Sequence, residues 1–276
     1  MVVDLEGRAR LALPPREEEA QAPRASTTHL VLMPSFNSGD MLLATVAAAL
    51  RFWSPIWVVI DGSTDGSEAA LRRHAARNPG VRILHRPRNG GKGAAILDGL
   101  RAAERSGFTH ALTMDADGQH PAALIPQFMA ASEARPEAMI LGTPVFAADA
   151  PALRVHGRRI SNAWANLETL WAGIGDSLFG FRVYPIADLR RIMEETRWMR
   201  RFDFDAEAVV KLSWAGVPAI NLSAPVRYVE RAAGGVSHFR YVRDNALLTW
   251  MHARLMLGFS RRLPGLLACR FRSSRH

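Results

Sequence analysis

The stretch THALTMDADGQHP, Thr109 to Pro121, reads as a short apolar run that stops at two aspartates and is followed by a helix entered through Pro121. An apolar run of this length suits a buried strand (THALTMD, 109–115), and the acids then fall at its C-terminal end. Working upstream, the same unit recurs. Lys92 to Arg105 is predicted as a helix beginning just after Gly90-Gly91, preceded by the strand VRILH (81–85). Ser67 to Ala76 is a helix, and IWVVI (56–60) a strand that stops at Asp61-Gly62. Asp40 to Leu50 is an amphipathic helix, and HLVLM (29–33) a strand ending at Pro34. Downstream, MILG (139–142) supplies a fifth strand. Strands alternating with helices predict an α/β fold: a Rossmann-like, doubly wound, mostly parallel sheet flanked by helices. Each polar segment lies just beyond a strand's C-terminal end, where open α/β sheets bind ligands.

The second half is less regular. It suggests a helix over Leu153–Ala172, a strand at LFGFRVY (178–184) and a helix over Asp205–Ala215. Strands are expected at VPAINL (217–222) and APVRYV (224–229), and a basic amphipathic helix over Tyr241–Phe259. Three parts follow: a flexible leader at 1–28 with Pro14, Pro15, Glu17–Glu19 and Pro23, a domain at 29–230, and a basic amphipathic segment at 231–276.

At 276 residues and 48% hydrophobic, the chain can bury one full α/β core. The net charge of +9 is concentrated at the end, where residues 227–276 hold ten Arg against Glu230 and Asp244. That tail favours polyanions, above all an anionic membrane surface. The single cysteine, Cys269, excludes an intrachain disulfide framework and fits a reducing compartment. Neither a signal-peptide core in MVVDLEGRAR nor a run of about 18 apolar residues is found, so the expected location is cytoplasmic, peripheral at the inner face of a membrane.

Four segments carry chemistry. Asp115 and Asp117, one residue apart at a strand end, can both reach a hard divalent cation, with Gln119 as a further oxygen ligand. The plainer alternative is a solvated Asp-Gly turn. Pro34-Ser35-Phe36-Asn37 and Asp61-Gly62-Ser63-Thr64-Asp65-Gly66 can meet a base or ribose, or can be ordinary turns and caps. Asn89-Gly90-Gly91-Lys92-Gly93-Ala94 can bring backbone N–H groups and the Lys92 charge to a phosphate, though it matches neither the Walker A nor the dinucleotide spacing.

In this order and at these positions, the segments resemble the family 2 glycosyltransferases of GT-A fold, most closely the dolichyl- or polyprenyl-phosphate sugar synthase branch. The resemblance spans roughly residues 29–240 and is most specific at Asp115–His120 and Gly91–Ala94. It implies a metal-dependent, inverting transfer of a hexose-type sugar from a UDP- or GDP-sugar to a lipid-phosphate or lipid-linked acceptor, with Mg²⁺ or Mn²⁺. Pro34, Phe36, Asn37, Asp61, Lys92 and Asp115 would then hold the donor nucleotide, and Asp115, Asp117 and Gln119 the metal. Asp176-Ser177-Leu178-Phe179-Gly180-Phe181-Arg182 looks like the acceptor-side segment, Phe204-Asp205-Ala206-Glu207 like an acidic helix start, and Gly235–Phe239 like a segment near the phosphates. Asp176, Asp205, Glu207 and Arg182 are the implied catalytic residues; Arg182, Arg231, Ser237 and His238 would meet the acceptor or its phosphate, and Arg158 and Arg159 are further candidates for that cradle. The chain departs from the family at Ile60, where an acid is common, and at the extra Leu178-Phe179. Glu207 and Lys211 are also spaced for a simple helix-surface pair.

A lipid phosphate is already an anion and needs no general base, whereas a hydroxyl acceptor does. Three other readings compete, and one of them, a degenerate transferase that binds a nucleotide sugar without turnover, is disfavoured by the intact Asp115, Asp117 and Gln119 set. A sugar nucleotidyltransferase would carry basic residues right after the first strand, but none occurs before Arg51. A non-enzymatic polyanion binder would need a recognised nucleic-acid module, and none is seen, so no nucleic-acid partner is expected.

Overall fold

The computed structural model describes residues 23–146, 152–226 and 241–273. In chain order the elements are β1 (Arg24–Ala25), β2 (His29–Ser35), α1 (Gly39–Leu50), β3 (Trp53–Ser54), β4 (Ile56–Asp61), α2 (Ser67–Ala75), β5 (Val81–Arg86), α3 (Lys92–Arg105) and β6 (His110–Thr113). A 3-10 turn at Ala122–Leu124 leads into α4 (Ile125–Ala134), then β7 (Met139–Val145), α5 (Ala152–Glu168), β8 (Arg182–Pro185), α6 (Ile186–Glu194), α7 (Phe204–Trp214), β9 (Ala219–Pro225) and α8 (Tyr241–Ser273).

Seven strands form one sheet in the order β5-β4-β2-β6-β8-β7-β9. All neighbours run parallel except β8, which is antiparallel to both β6 and β7, with Thr113 opposite Arg182 and Ile140 opposite Val183. The unbroken apolar runs of β2 and β4 have a simple cause: both faces of the sheet are covered. Leu30 and Leu32 face one apolar cluster with Trp57, Val59 and the inner sides of α3, α6 and α7. Val31 and Met33 face the other, with Val58, Ile60 and side chains of α1, α2 and α4. The period-two alternation of strand side chains thus divides the core into two layers.

Several expectations change. Part of the leader expected at 1–28 is structured: β1 pairs with β3, and Ser26 Oγ accepts the Thr28 and His29 backbone N–H groups. Within 178–184 only the last residues are strand, because 176–181 is a loop held by its own hydrogen bonds. The two strands expected over 217–229 are, among the described residues, the single β9. Helix α6 was not anticipated, and α8 runs well past Phe259 and through Pro264. Nor does α8 stand apart from the domain, since Met251, Leu255 and Phe259 are buried and Met251 and Leu255 belong to the core cluster of α3 and α7.

Candidate functional site

The C-terminal ends of β2, β4 and β6 point to one edge of the sheet. Because β8 is antiparallel, the Phe179-Gly180-Phe181 segment that precedes it arrives at that same edge. The loops expected to hold donor and acceptor therefore meet there, far apart as they are in the chain.

The two loops after β2 and β4 are stitched together. The Asn37 backbone, at φ 46°, donates to Ser63 Oγ at 3.0 Å, and Asn37 Oδ1 accepts the Thr64 N–H at 2.8 Å. Asp65 accepts from the Gly39 N–H at 2.8 Å and caps Ser67 through both its N–H and its hydroxyl. Asn37 therefore shapes the rim through its amide carbonyl oxygen, while Pro34 and Phe36 lie half-buried beside it. Asp61 is buried, and its carboxylate is an anchor for the glycine loop: it accepts the N–H groups of Gly90 (3.0 Å) and Gly91 (2.8 Å) and a charge-assisted bond from Arg86. Arg86 was not singled out from sequence; it also reaches Asp98 at 2.7 Å and so ties the loop to α3.

Lys92, the first residue of α3, bridges Asp115 after β6 and Asp205 on α7, with Nζ 2.8 Å from each carboxylate. Burial works against its charge, but the two carboxylates prevail and hold its pKa above the ordinary lysine range. Burial likewise opposes ionisation of Asp115, and the Lys92 ammonium overcomes it, keeping that carboxyl below its usual value. Asp117 behaves oppositely. Burial, then the Asp115 charge, pushes its pKa up to about 6, although its Oδ1 accepts the Gln119 N–H at 3.0 Å. Asp205 is raised by burial against the pull of Lys92, and its Oδ1 is left without a partner.

His120 closes this cluster from below. Its Nδ1 accepts the Asp115 N–H at 3.0 Å, which leaves the proton on Nε2, 3.8 Å from Asp115 Oδ2. Burial lowers its pKa to about 4, and its ring packs edge-on against Phe179 at 4.8 Å. Gly180 fits because a Cβ there would lie 2.6 Å from Lys92 Nζ and 3.0 Å from Asp115 Oδ2. The cluster is all oxygen on its acidic side, and Asp115 and Asp117 repel each other across it, which is the arrangement that a hard divalent cation relieves.

The residues expected on the acceptor side have the following places and partners. Asp176 is buried: it caps its own loop by accepting the Leu178 (2.9 Å) and Phe179 (2.7 Å) N–H groups, and pairs with Arg158 at 2.6 Å and Asn162 at 3.1 Å, both on α5. Arg182, expected to meet an acceptor phosphate, is fully buried instead. It donates to Tyr184 Oη and to the carbonyls of Asp205 and Asp176, binding α7 to the 176–181 loop. Glu207 faces away from Asp205 and is completely buried between Lys211 (2.8 Å) and Arg254 of α8 (3.1 Å). It is an anchor for α8 and not the solvated helix pair its spacing allows. Arg159 is exposed, and Arg231, Ser237 and His238 lie outside the described residues.

A buried chain escaped the sequence reading altogether. Glu168 Oε1 meets His252 Nδ1 at 2.8 Å, His252 Nε2 meets Ser161 Oγ at 3.3 Å, and Ser161 Oγ meets Ser177 Oγ at 3.1 Å. Its members come from α5, α8 and the 176–181 loop, so no local pattern signals it.

Comparison with known proteins identifies the family and the fold. The model of glycosyl transferase family 2 matches residues 30–199. An undecaprenyl-phosphate mannosyltransferase of Micrococcus luteus is 27% identical over 221 residues, covering 74% of this chain and 85% of that protein. A polyprenol monophosphomannose synthase of Mycolicibacterium smegmatis is 26% identical over 228 residues, covering 79% and 83%. Among solved structures, the glucosyl-3-phosphoglycerate synthase of Mycobacterium tuberculosis in complex with Mn²⁺, UDP and glucosyl-3-phosphoglycerate superposes with a TM-score of 0.58 at 15% identity, covering 84% of this chain and 80% of that one.

Proposed function

The chain belongs to glycosyl transferase family 2, and from that premise we propose that it moves a hexose from a nucleoside-diphosphate sugar to a polyprenyl phosphate at a membrane surface. The sugar, on the pattern of both named mannosyl-transferring relatives, is mannose. Family membership speaks against a nucleotidyltransferase and a non-enzymatic polyanion binder.

One observation carries the choice of acceptor. Asp176 is committed to Arg158 and two backbone N–H groups and Glu207 to Lys211 and Arg254, while Asp205 pairs with Lys92 through one oxygen and keeps the other buried without a partner. All three acids are buried, Asp176 and Glu207 beneath their cationic partners and Asp205 beside Lys92, which argues against their taking a proton from an incoming hydroxyl. A phosphate acceptor brings its own negative oxygen and needs no such base.

On the donor side, the 35–39 and 61–67 loops form the rim for the base and ribose, and Asp61 holds Gly90 and Gly91 in place. Lys92 offers fixed positive charge to the leaving diphosphate. Asp115 and Asp117, with Gln119 beside them, fit a divalent cation by donor type and by their mutual repulsion. When bound, Mg²⁺ or Mn²⁺ supplies charge neutralisation of the departing nucleoside diphosphate. Attack from the face opposite the leaving group gives inversion.

Calorimetry with UDP and GDP, each with Mn²⁺ and with EDTA, tests the donor side. Metal-dependent binding of one nucleotide, lost in Asp117→Ala, is the expected result and names the base. Radiolabel transfer to a polyprenyl phosphate tests the acceptor, and transfer only to a hydroxyl-bearing lipid would refute it.

A further inference from the structure

Helices α5 and α8 lie side by side on one layer of the domain, with the Trp164 and His252 rings 6.1 Å apart and His252 bonded to Glu168. Their inner sides bury Ala165, Met251, Leu255 and Phe259. Their outer sides are not the charged surface that a helix packed on a soluble domain usually presents. Ile160 is 62% exposed, Trp164 41%, Trp171 just after α5 62%, and on α8 Trp250 is 54% and Leu257 58% exposed.

The spacing is regular. Ile160 and Trp164 are four apart, and Trp250, Ala253 and Leu257 fall at i, i+3 and i+7, so each set lies on one helical face. The sequence has no Asp or Glu over 157–167 or 246–267. The exposed charges bordering the patch are Arg159 and Arg261, while Arg158 and Arg254 point inward to Asp176 and Glu207 and Arg262 lies over Trp214. Exposed tryptophans set among arginines, with no acids, match the interface of an anionic bilayer: indole rings favour the headgroup level and arginine favours acidic lipid.

We propose that the outer faces of α5 and α8, centred on Trp164, Trp250 and Leu257, dock the protein on an anionic lipid bilayer. This deepens the lipid-acceptor reading and rests on it for the presence of a bilayer. No helix among the described residues is long and apolar enough to cross a membrane, so the contact is with the bilayer surface. The position has a purpose. Through Arg158 and Asn162, α5 also holds Asp176 and Ser177, so the docking face and the acceptor-side loop are opposite sides of one helix, about 10 Å across.

The test is co-sedimentation of the full chain with vesicles of phosphatidylcholine, with and without phosphatidylglycerol. The wild type is expected to partition to the anionic vesicles. The triple variant Trp164→Ser, Trp250→Ser, Leu257→Ser should lose roughly tenfold or more of that partitioning, because binding scales with the apolar area inserted. Arg261→Gln should erode the preference for phosphatidylglycerol. Both variants should keep wild-type nucleotide binding and turnover on detergent-dispersed polyprenyl phosphate. Unchanged partitioning of the triple variant overturns the proposal. So does a wild type that ignores both vesicles, or a wild-type dimer that the triple variant splits in sedimentation velocity. If the wild type turns over no lipid phosphate yet the vesicle result holds, the acceptor reading fails and the docking surface stands.

Discussion

Asp117 shows how much one residue's surroundings decide. Its folded-state pKa, about 6, lies above the ordinary 3.8, so the folded protein holds that proton to higher pH than the unfolded chain does. Without metal, this costs the folded state stability as pH rises from about 4 through about 6, and the cost persists above it. Asp117→Asn is therefore expected to melt higher than the wild type near pH 7.5 in EDTA, and about equally near pH 4. Mn²⁺ should raise the wild-type melting temperature and leave the variant's unchanged; scanning calorimetry at the two pH values reads both. The Asp115–Asp117 pair was legible in the sequence because a strand end and a two-residue spacing are local facts. The roles of Arg182 and Glu207 were not. Each is fixed by a partner distant in sequence, the Asp205 carbonyl for Arg182 and Arg254 for Glu207, and no nearby pattern announces a buried charge.

At the scale of elements, α8 is held by more than apolar packing. Two buried carboxylates, Glu168 on α5 and Glu207 on α7, each accept from an α8 side chain, His252 and Arg254 respectively. Removing such a partner leaves a buried acid under-satisfied, at a typical cost of about 1–3 kcal/mol. Arg254→Ala should lose stability of that order in urea denaturation, and α8 should be cut faster by trypsin under native conditions. Arg72→Ala, which breaks only the exposed pair with Glu68, should stay within about 0.5 kcal/mol. A basic amphipathic helix over Tyr241–Phe259 was readable from its period, and so were α1 to α3 with the strands between them. The direction of β8 was not, because four residues of strand carry no mark of the neighbour they will pair with. The short α6 was hidden by its nearness to β8, which it follows without a loop.

For the whole molecule, acid is the vulnerable direction. Burial lowers the pKa of His29 to about 4, with help from His110, whose ring stacks on it at 4.4 Å, and burial lowers His120 to about 4 as well. The unfolded chain then binds more protons between about pH 6.5 and 4, so these groups destabilise the fold progressively as pH falls through that window. In the Asp117→Asn background one opposing carboxylate is silent, although the raised Asp205 and Glu168 still offset part of the loss, and the melting temperature should drop from pH 6.5 to 4. Adding His29→Gln should flatten that slope; an unchanged slope would place the acid lability elsewhere. The fold class was legible because alternating β and α units leave few arrangements open, but the sheet order past β6 was not. That order has a further consequence for how the chain is made. Strands β2, β4, β5 and β6 are all complete once Thr113 has been synthesised, yet β6 then presents an open edge. Strand β7 emerges next and cannot fill it, because its place is on the far side of β8. The nascent protein must therefore leave the middle of its sheet unpaired until Pro185 has left the ribosome, and over that interval the edge of β6 is where a chaperone or a second nascent chain would bind.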